Sequence, residues 1–146
     1  MRELYDISNV SNAIHLAVAP VFLLTAIGAI LGVMTNRLGR VIDRARLLEG
    51  RLENAAPEDV AGITAHLCIL SRRAKLINLA ITCCTMTALL ICSVIAVLFL
   101  GSFVHFNFAI PVAMLFIMAM FLMVIGLLWF LREIFLATAN LRIGNR

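Results

Sequence analysis

Charge is scarce in this sequence: Asp, Glu, Lys and Arg make up only 14% of the 146 residues, while 63% are apolar. A soluble domain carries about 25% charged and about 45–50% apolar residues, so the excess apolar surface calls for lipid as its solvent. Acids are scarcer still, and the stretches 13–34, 76–100 and 106–131 contain none. That excludes a pair of intramembrane carboxylates. No nucleophile–base arrangement, phosphate-binding loop or metal-ligand cluster is present either, so the expectation is a protein that is not an enzyme, with no cofactor and no metal. Cysteine is also sparse and unpatterned. Cys83, Cys84 and Cys92 lie in an apolar run, Cys68 lies outside it, and no C-x-x-C occurs. They read as packing residues, not a disulfide framework.

What the sequence does have is three long apolar runs. A membrane-spanning helix needs about 20 predominantly apolar residues, and only helices or closed barrels satisfy the backbone in lipid. The runs lack the period-2 alternation of barrel strands. The expectation is an all-α polytopic membrane protein with spans at 13–34, 76–100 and 106–131, joined by a 35–75 hairpin and a 101–105 link. Residues 1–12 precede the first span and 132–146 form a tail. The first run is too long for the apolar core of a signal peptide, and no small-x-small cleavage site follows it. It is read as a retained span. Before it, Leu4, Ile7, Val10 and Ile14 recur at helical spacing. This predicts either a short interfacial helix or an outward extension of the span, with Asp6 or Ser8 as a cap.

Basic residues set the expected orientation. One, Arg2, precedes the first span, and none lies in the 101–105 link. Eight lie between the first two spans, and Arg132, Arg142 and Arg146 follow the third. The positive-inside rule then places the hairpin and the C-terminus in the cytoplasm and the N-terminus outside, in an inner (cytoplasmic) membrane. Trp129 falls where interfacial aromatics gather, and Arg132 can snorkel beside it.

The hairpin carries two apolar seams at 3–4 spacing. One runs through Leu38, Val41, Ala45, Leu48 and Leu52, the other through Val60, Ile63, Leu67, Leu70, Ala74 and Ile77. Such seams predict two antiparallel helices folded as a coiled coil. Pro57 suits the first turn of the second helix, and the acids after it suit its positive end. No breaker separates either arm from its span, so residues 58–100 can run as one helix of about 65 Å, at 1.5 Å per residue. Charge is sorted along the arms. Residues 35–46 and 70–75 hold seven bases and one acid, whereas 47–69 hold Arg51 against Glu49, Glu53, Glu58 and Asp59. Folding would gather Arg37, Arg40, Arg44, Arg72, Arg73 and Lys75 into a basic collar for anionic lipid at the inner leaflet. Asp43 would organise that collar, pairing with Arg46 or with the opposite arm. No aromatic residues are interleaved with these bases, so nucleic acid is not an expected partner.

Within the spans, Gly28 and Gly32 form a GxxxG that lets another helix approach closely, from either another subunit or the same chain. Pro20 lies in the same span and removes one backbone hydrogen bond. Thr25, one turn on, is placed to satisfy a freed group. Asn78, Thr82 and Thr85 continue from Lys75 as a polar stripe on one face of the second span. They read as interhelical hydrogen-bonding groups or as one wall of a wetted path. Met114 and Met118 share the spacing of the methionine pair in trimeric copper transporters, but the GxxxG sits in a different span and no outer Met/His cluster is present. Flexible packing is the ordinary role of such methionines. His15 and His105 both fall near the outer face, where they read either as tolerated interfacial residues or as a pH or metal pair.

Ala13 to Thr25 (AIHLAVAPVFLLT), followed by Thr35 to Arg46 (TNRLGRVIDRAR), resembles a bacterial family of small membrane proteins known as domain of unknown function, family 2721. The resemblance implies no activity. It marks the Ala-Pro of the first span and the Arg/Asp run as family features. Two functions are then open. One is a homo-oligomeric channel-like or transport assembly with a projecting hairpin. The other is a non-transporting scaffold or regulator that binds a cytoplasmic protein through that hairpin.

Overall fold

A computed structural model describes residues 2–103 and 109–139, with side chains at 11, 14–101 and 109–138. The side chains of Arg2, Asp6, Ser8 and the N-terminal apolar series up to Val10, and all of His105, Arg142 and Arg146, lie outside the described residues. All regular structure among the described residues is α-helical: α1 spans Arg2–Leu52, α2 Pro57–Phe103 and α3 Ala109–Ala139. Each contains a segment long and apolar enough to cross a membrane, with mean hydropathies of 2.4, 2.6 and 2.7. The chain is therefore read as a membrane protein with three transmembrane helices.

Helix boundaries follow local chemistry. α1 runs on past Pro20 because the proline removes one hydrogen bond from a helix held by many others. The Thr25 hydroxyl donates to the Val21 carbonyl at 3.2 Å, so it does not serve Leu16, whose carbonyl Pro20 leaves free. α1 ends in a tight turn in which the Asn54 and Ala55 amides donate to the Arg51 and Leu52 carbonyls. Pro57 then opens α2 with Glu58 and Asp59 in its first turn, where the missing proline N–H is harmless and acids face the positive helix end. α3 passes through Arg132 and Glu133 to Ala139, so the first part of the expected tail is helix.

The chain divides into two compact units. The first comprises Met1–Leu31 and Cys83–Val124. Its core contains Ala17, Ile27, Cys84, Ile91, Val94, Ala119 and Met123. Thr87 is buried there too, its hydroxyl donating to the Cys83 carbonyl at 2.9 Å. A hydroxyl satisfied within its own helix can be buried without a cross-helix partner. Met114, Met118 and Met120 point outward.

The second unit comprises Gly32–Thr82 and Ile125–Arg146. Met34, Val41, Leu70, Ile77 and Ala80 are buried in it, and Leu38, Ala45, Leu48, Ile63, Leu67 and Ala74 are half-buried. Apart from Met34 and Ala80 these are expected seam positions of the two arms; Leu52 is half-buried too, whereas Val60, expected to open the second seam, is exposed. A groove of about 610 Å³ runs along the paired arms, lined on α1 by Val41, Ile42, Ala45, Arg46 and Glu49 and on α2 from Thr64 to Ala74. Apolar packing at these positions sets the stability of the unit. Ile77→Ala, at a fully buried site, is expected to lower unfolding stability in detergent by about 2 kcal/mol or more. Leu79→Ala, at an exposed site two residues on, is expected to change it by less than about 0.5 kcal/mol. Equal losses would show that the seam does not carry the packing.

Candidate functional site: a buried carboxylate between two arginines

Three helices of the second unit meet at one carboxylate. Glu133 projects from α3 and is fully buried. Its position follows from the α3 register, in which Gly126 and Glu133 are buried and Trp129, Phe130, Leu136 and Ala137 are half-buried, again at 3–4 spacing. On α2, Arg73 donates to Glu133 Oε1 from Nε at 3.1 Å and from Nη2 at 2.8 Å. On α1, Arg37 Nη1 lies 3.6 Å from Oε2, within ion-pair range but beyond a hydrogen bond. Oε2 itself has no hydrogen-bond partner among the described residues.

The two arginines therefore play different roles. Arg73, with a side chain 18% exposed, makes short charge-assisted hydrogen bonds, the strong kind. Arg37, at 29%, is held by longer-range attraction and by the face of Phe130, whose ring centroid lies 5.5 Å from its Cζ. Aromatic faces attract guanidinium groups electrostatically. Arg132 stacks similarly over Trp129 at 5.6 Å.

The other residues singled out from the sequence fall around this centre. Of the proposed collar, Arg37 and Arg73 turn to Glu133, while Arg40, Arg44, Arg72 and Lys75 are exposed. Asp43 is exposed and makes no ion pair with another described residue. Asn78, Thr82 and Thr85 are all exposed, and the Thr82 hydroxyl donates to the Asn78 carbonyl at 2.9 Å. Gly28 and Gly32 face open space: a Cβ added at either would meet nothing within 4 Å. Pro20 is buried and His15 exposed. The cysteines are free thiols, with Cys84 buried and Cys68 and Cys92 exposed. Among the described residues no group of three His, Cys, Asp or Glu is placed to hold a metal.

Glu133 is the residue that the apolar runs do not reveal. The third run stops at Leu131 because Arg132 follows. Yet Ile134-Phe135-Leu136-Ala137 resumes the apolar pattern, and continuing the 3–4 count past the charged pair places Glu133 on the buried side. Its chemistry yields a graded prediction. Truncating one partner of a buried ion pair costs about 3–5 kcal/mol, whereas replacing both with apolar residues is often neutral. Arg73→Leu and Glu133→Leu are each expected to destabilise the protein strongly, Arg37→Leu by only about 1 kcal/mol. The double variant Arg73→Leu/Glu133→Leu should recover most of the single-variant loss. Denaturant titrations in bicelles measure all four. Additive losses in the double variant would remove the pair from the account.

The model of a family described as protein of unknown function (DUF2721) matches residues 17–143. No curated protein and no solved structure matches the chain. The match covers α1 from residue 17, the whole of α2 and α3, and the Arg37–Arg73–Glu133 centre, so the chain belongs to the DUF2721 family.

Proposed function

We propose that the protein is a homo-oligomeric, channel-like membrane assembly whose paired α1 and α2 arms project as a coiled-coil hairpin into the cytoplasm. The observation that carries this reading is the exposure of Asn78, Thr82 and Thr85 on a helix otherwise apolar enough to span. The Thr82 hydroxyl already bonds within its own helix, but a side-chain amide such as that of Asn78 typically faces another helix or water, because lipid offers it no hydrogen-bond partner. Asn78 and Thr82 lie on the outside of the chain's own second unit, so an assembly of several chains would supply that environment. Only 17%, 22% and 17% of the three spanning windows is buried within the chain, which leaves ample surface for such assembly. The distribution of bases supports a cytoplasmic hairpin and C-terminus in an inner, cytoplasmic membrane. Arg40, Arg44, Arg72 and Lys75 remain exposed to anionic headgroups at its surface.

A second reading, a scaffold or regulator that holds a cytoplasmic protein, is favoured by the far end of the hairpin. There a cleft of about 480 Å³ is lined by Leu48, Arg51, Ala55, Asp59, Gly62, Ile63 and His66. Leu47 is 71% exposed on the same arm.

Reconstitution separates the two. Purified protein in liposomes is expected to pass potassium or chloride under voltage or membrane tension, and the triple variant Asn78→Leu/Thr82→Leu/Thr85→Leu to lower that flux at least tenfold. An absence of flux under every condition would reject the channel. For the scaffold, deleting residues 47–66 is expected to abolish capture of any cytoplasmic protein that the intact chain retains. Undiminished capture would reject it.

A further inference from the structure

The centre at Glu133 sets two guanidinium groups against one carboxylate, so it carries one unit of positive charge in excess. That excess falls on Arg37. Arg73 takes up Oε1 with two short hydrogen bonds, whereas Arg37 stands 3.6 Å from Oε2 and makes no hydrogen bond with any described residue. The Phe130 ring, 5.5 Å from the Arg37 Cζ, supports the guanidinium and offers its N–H groups no lone pair. Arg37 is thus held from two sides with its in-plane N–H donors to spare, on a side chain 29% exposed. One turn on, Arg40 is exposed on the same face of α1. Helical side chains lean back toward the N-terminus, which brings its charge toward the level of Arg37.

Depth decides which anion meets these donors. Arg37 follows the apolar stretch 13–34 by three residues, Arg73 precedes 76–100 by three, and Glu133 follows 106–131 by two. At 1.5 Å per residue all three counts put the centre about 3–5 Å outside the hydrocarbon, within a headgroup layer about 5–7 Å deep. Trp129, half-buried one turn before Glu133, is an aromatic of the kind that gathers at that depth. We propose that Arg37, held between Phe130 and Glu133, is a stoichiometric site for the phosphate oxyanion of one phospholipid headgroup, with Arg40 as its second donor. The site rests on the reading of the hairpin base as a headgroup surface and is distinct from the rest of that surface. A solvated base attracts lipid diffusely, and salt screens the attraction. A guanidinium already held in place can donate in pairs to one phosphate and loses little freedom on binding, so its lipid stays when the diffuse ones are washed away.

The full-length chain, immobilised in dodecyl maltoside, is incubated with radiolabelled phosphatidylglycerol and washed in 0.5 M sodium chloride, where the screening length is under about 5 Å. One lipid per chain is expected to remain. Arg37→Gln is expected to lower retention at least tenfold and Arg40→Gln at least threefold, while Arg72→Gln/Lys75→Gln changes it less than twofold. Diacylglycerol, which has the tails without the phosphate, is expected not to be retained. Phenylglyoxal labelling of the wild-type chain, mapped by peptide mass, needs no variant to fold. Phosphatidylglycerol is expected to slow modification of Arg37 at least fivefold, and that of Arg46, on the opposite side of α1 in the groove, less than twofold. Retention unchanged in Arg37→Gln, equal protection of Arg37 and Arg46, or equal retention of diacylglycerol would overturn the site. Protection of Arg37 by 10 mM inorganic phosphate with none by phosphatidylglycerol would overturn its assignment to lipid. Retention measured also at 0.05 M salt keeps site and surface apart. A loss there in Arg72→Gln/Lys75→Gln, with no effect of Arg37→Gln at either salt, retains the surface and rejects the site. A loss confined to Arg37→Gln and Arg40→Gln upholds the site and rejects the wider surface.

Discussion

The second unit depends on one buried carboxylate. Glu133 is fully enclosed, and an ionised carboxylate removed from water needs compensation by opposite charge and hydrogen bonds. Arg73 supplies both through two short contacts to Oε1. Arg37 supplies charge alone, at a distance from Oε2 that leaves that oxygen without a donor. The arrangement joins α1, α2 and α3 through groups that must find one another for any of them to be buried. Apolar side chains can slide past each other in a seam at little cost, whereas a guanidinium that donates twice to one buried carboxylate oxygen holds only in one register. The ion triad thus fixes how the helices align, while the 3–4 spaced apolar residues supply most of the contact. The Phe130 ring beneath Arg37 keeps that arginine near the carboxylate despite its greater exposure.

Gathering α3 at Glu133 has a consequence for the rest of the unit's surface. The acid draws Arg37 and Arg73 to one edge of the arms, and Arg44 and Arg51 follow by helical repeat. That edge becomes the basic one. The other is left with Gly32, Thr35, Gly39 and Ile42 on α1 and with Ser71, Lys75, Asn78 and Thr82 on α2. The same sorting bears on the polar stripe of α2. Asn78 and Thr82 lie on this other edge, so whatever covers that edge also decides whether these groups meet protein or water.

Much of this fold is legible in the sequence, for a reason that applies to membrane helices generally. Apolar runs of about 20 residues are an unambiguous demand for lipid, and seams such as Leu38 to Leu52 and Ile63 to Ile77 show which face closes. Continuity of α2 from Pro57 into its span follows from the lack of any breaker after that proline. The site was less legible. Arg37 and Arg73 register as members of a basic cluster, because a count of charges reads them by depth and not by direction. Their turn toward α3 depends on Glu133, which is hidden by its neighbour: an apolar run is ended at its first charge, here Arg132. Helical register would have recovered it, since Glu133 falls seven residues after Gly126, and both are buried. Thr25 shows a different limit. Its hydroxyl lies close enough to Pro20 to suggest a local repair, yet a hydroxyl that can bond its own i−4 carbonyl does so first.

The glycines of α1 show where the physics of a single chain ends. In a helix each glycine costs about 1 kcal/mol relative to alanine, through backbone entropy and lost side-chain contact. That cost is commonly offset where the missing Cβ admits another helix. At Gly28, Gly32 and Gly39 no described residue beyond the local helix backbone approaches within 4 Å of the place a Cβ would occupy. Folding of the individual chain therefore gains nothing from these three glycines and loses some helix stability to them. A contact that offsets such a loss has to come from outside the chain: from lipid or protein at Gly28 and Gly32, within the first span, and from water or protein at Gly39, in the 35–75 hairpin. Lipid tails are fluid and fill the space beside an alanine as readily as beside a glycine, so they give no advantage to the smaller residue. A second helix is rigid and gains van der Waals contact with each reduction in separation. In the assembly proposed above, that gain is expected at Gly28 and Gly32.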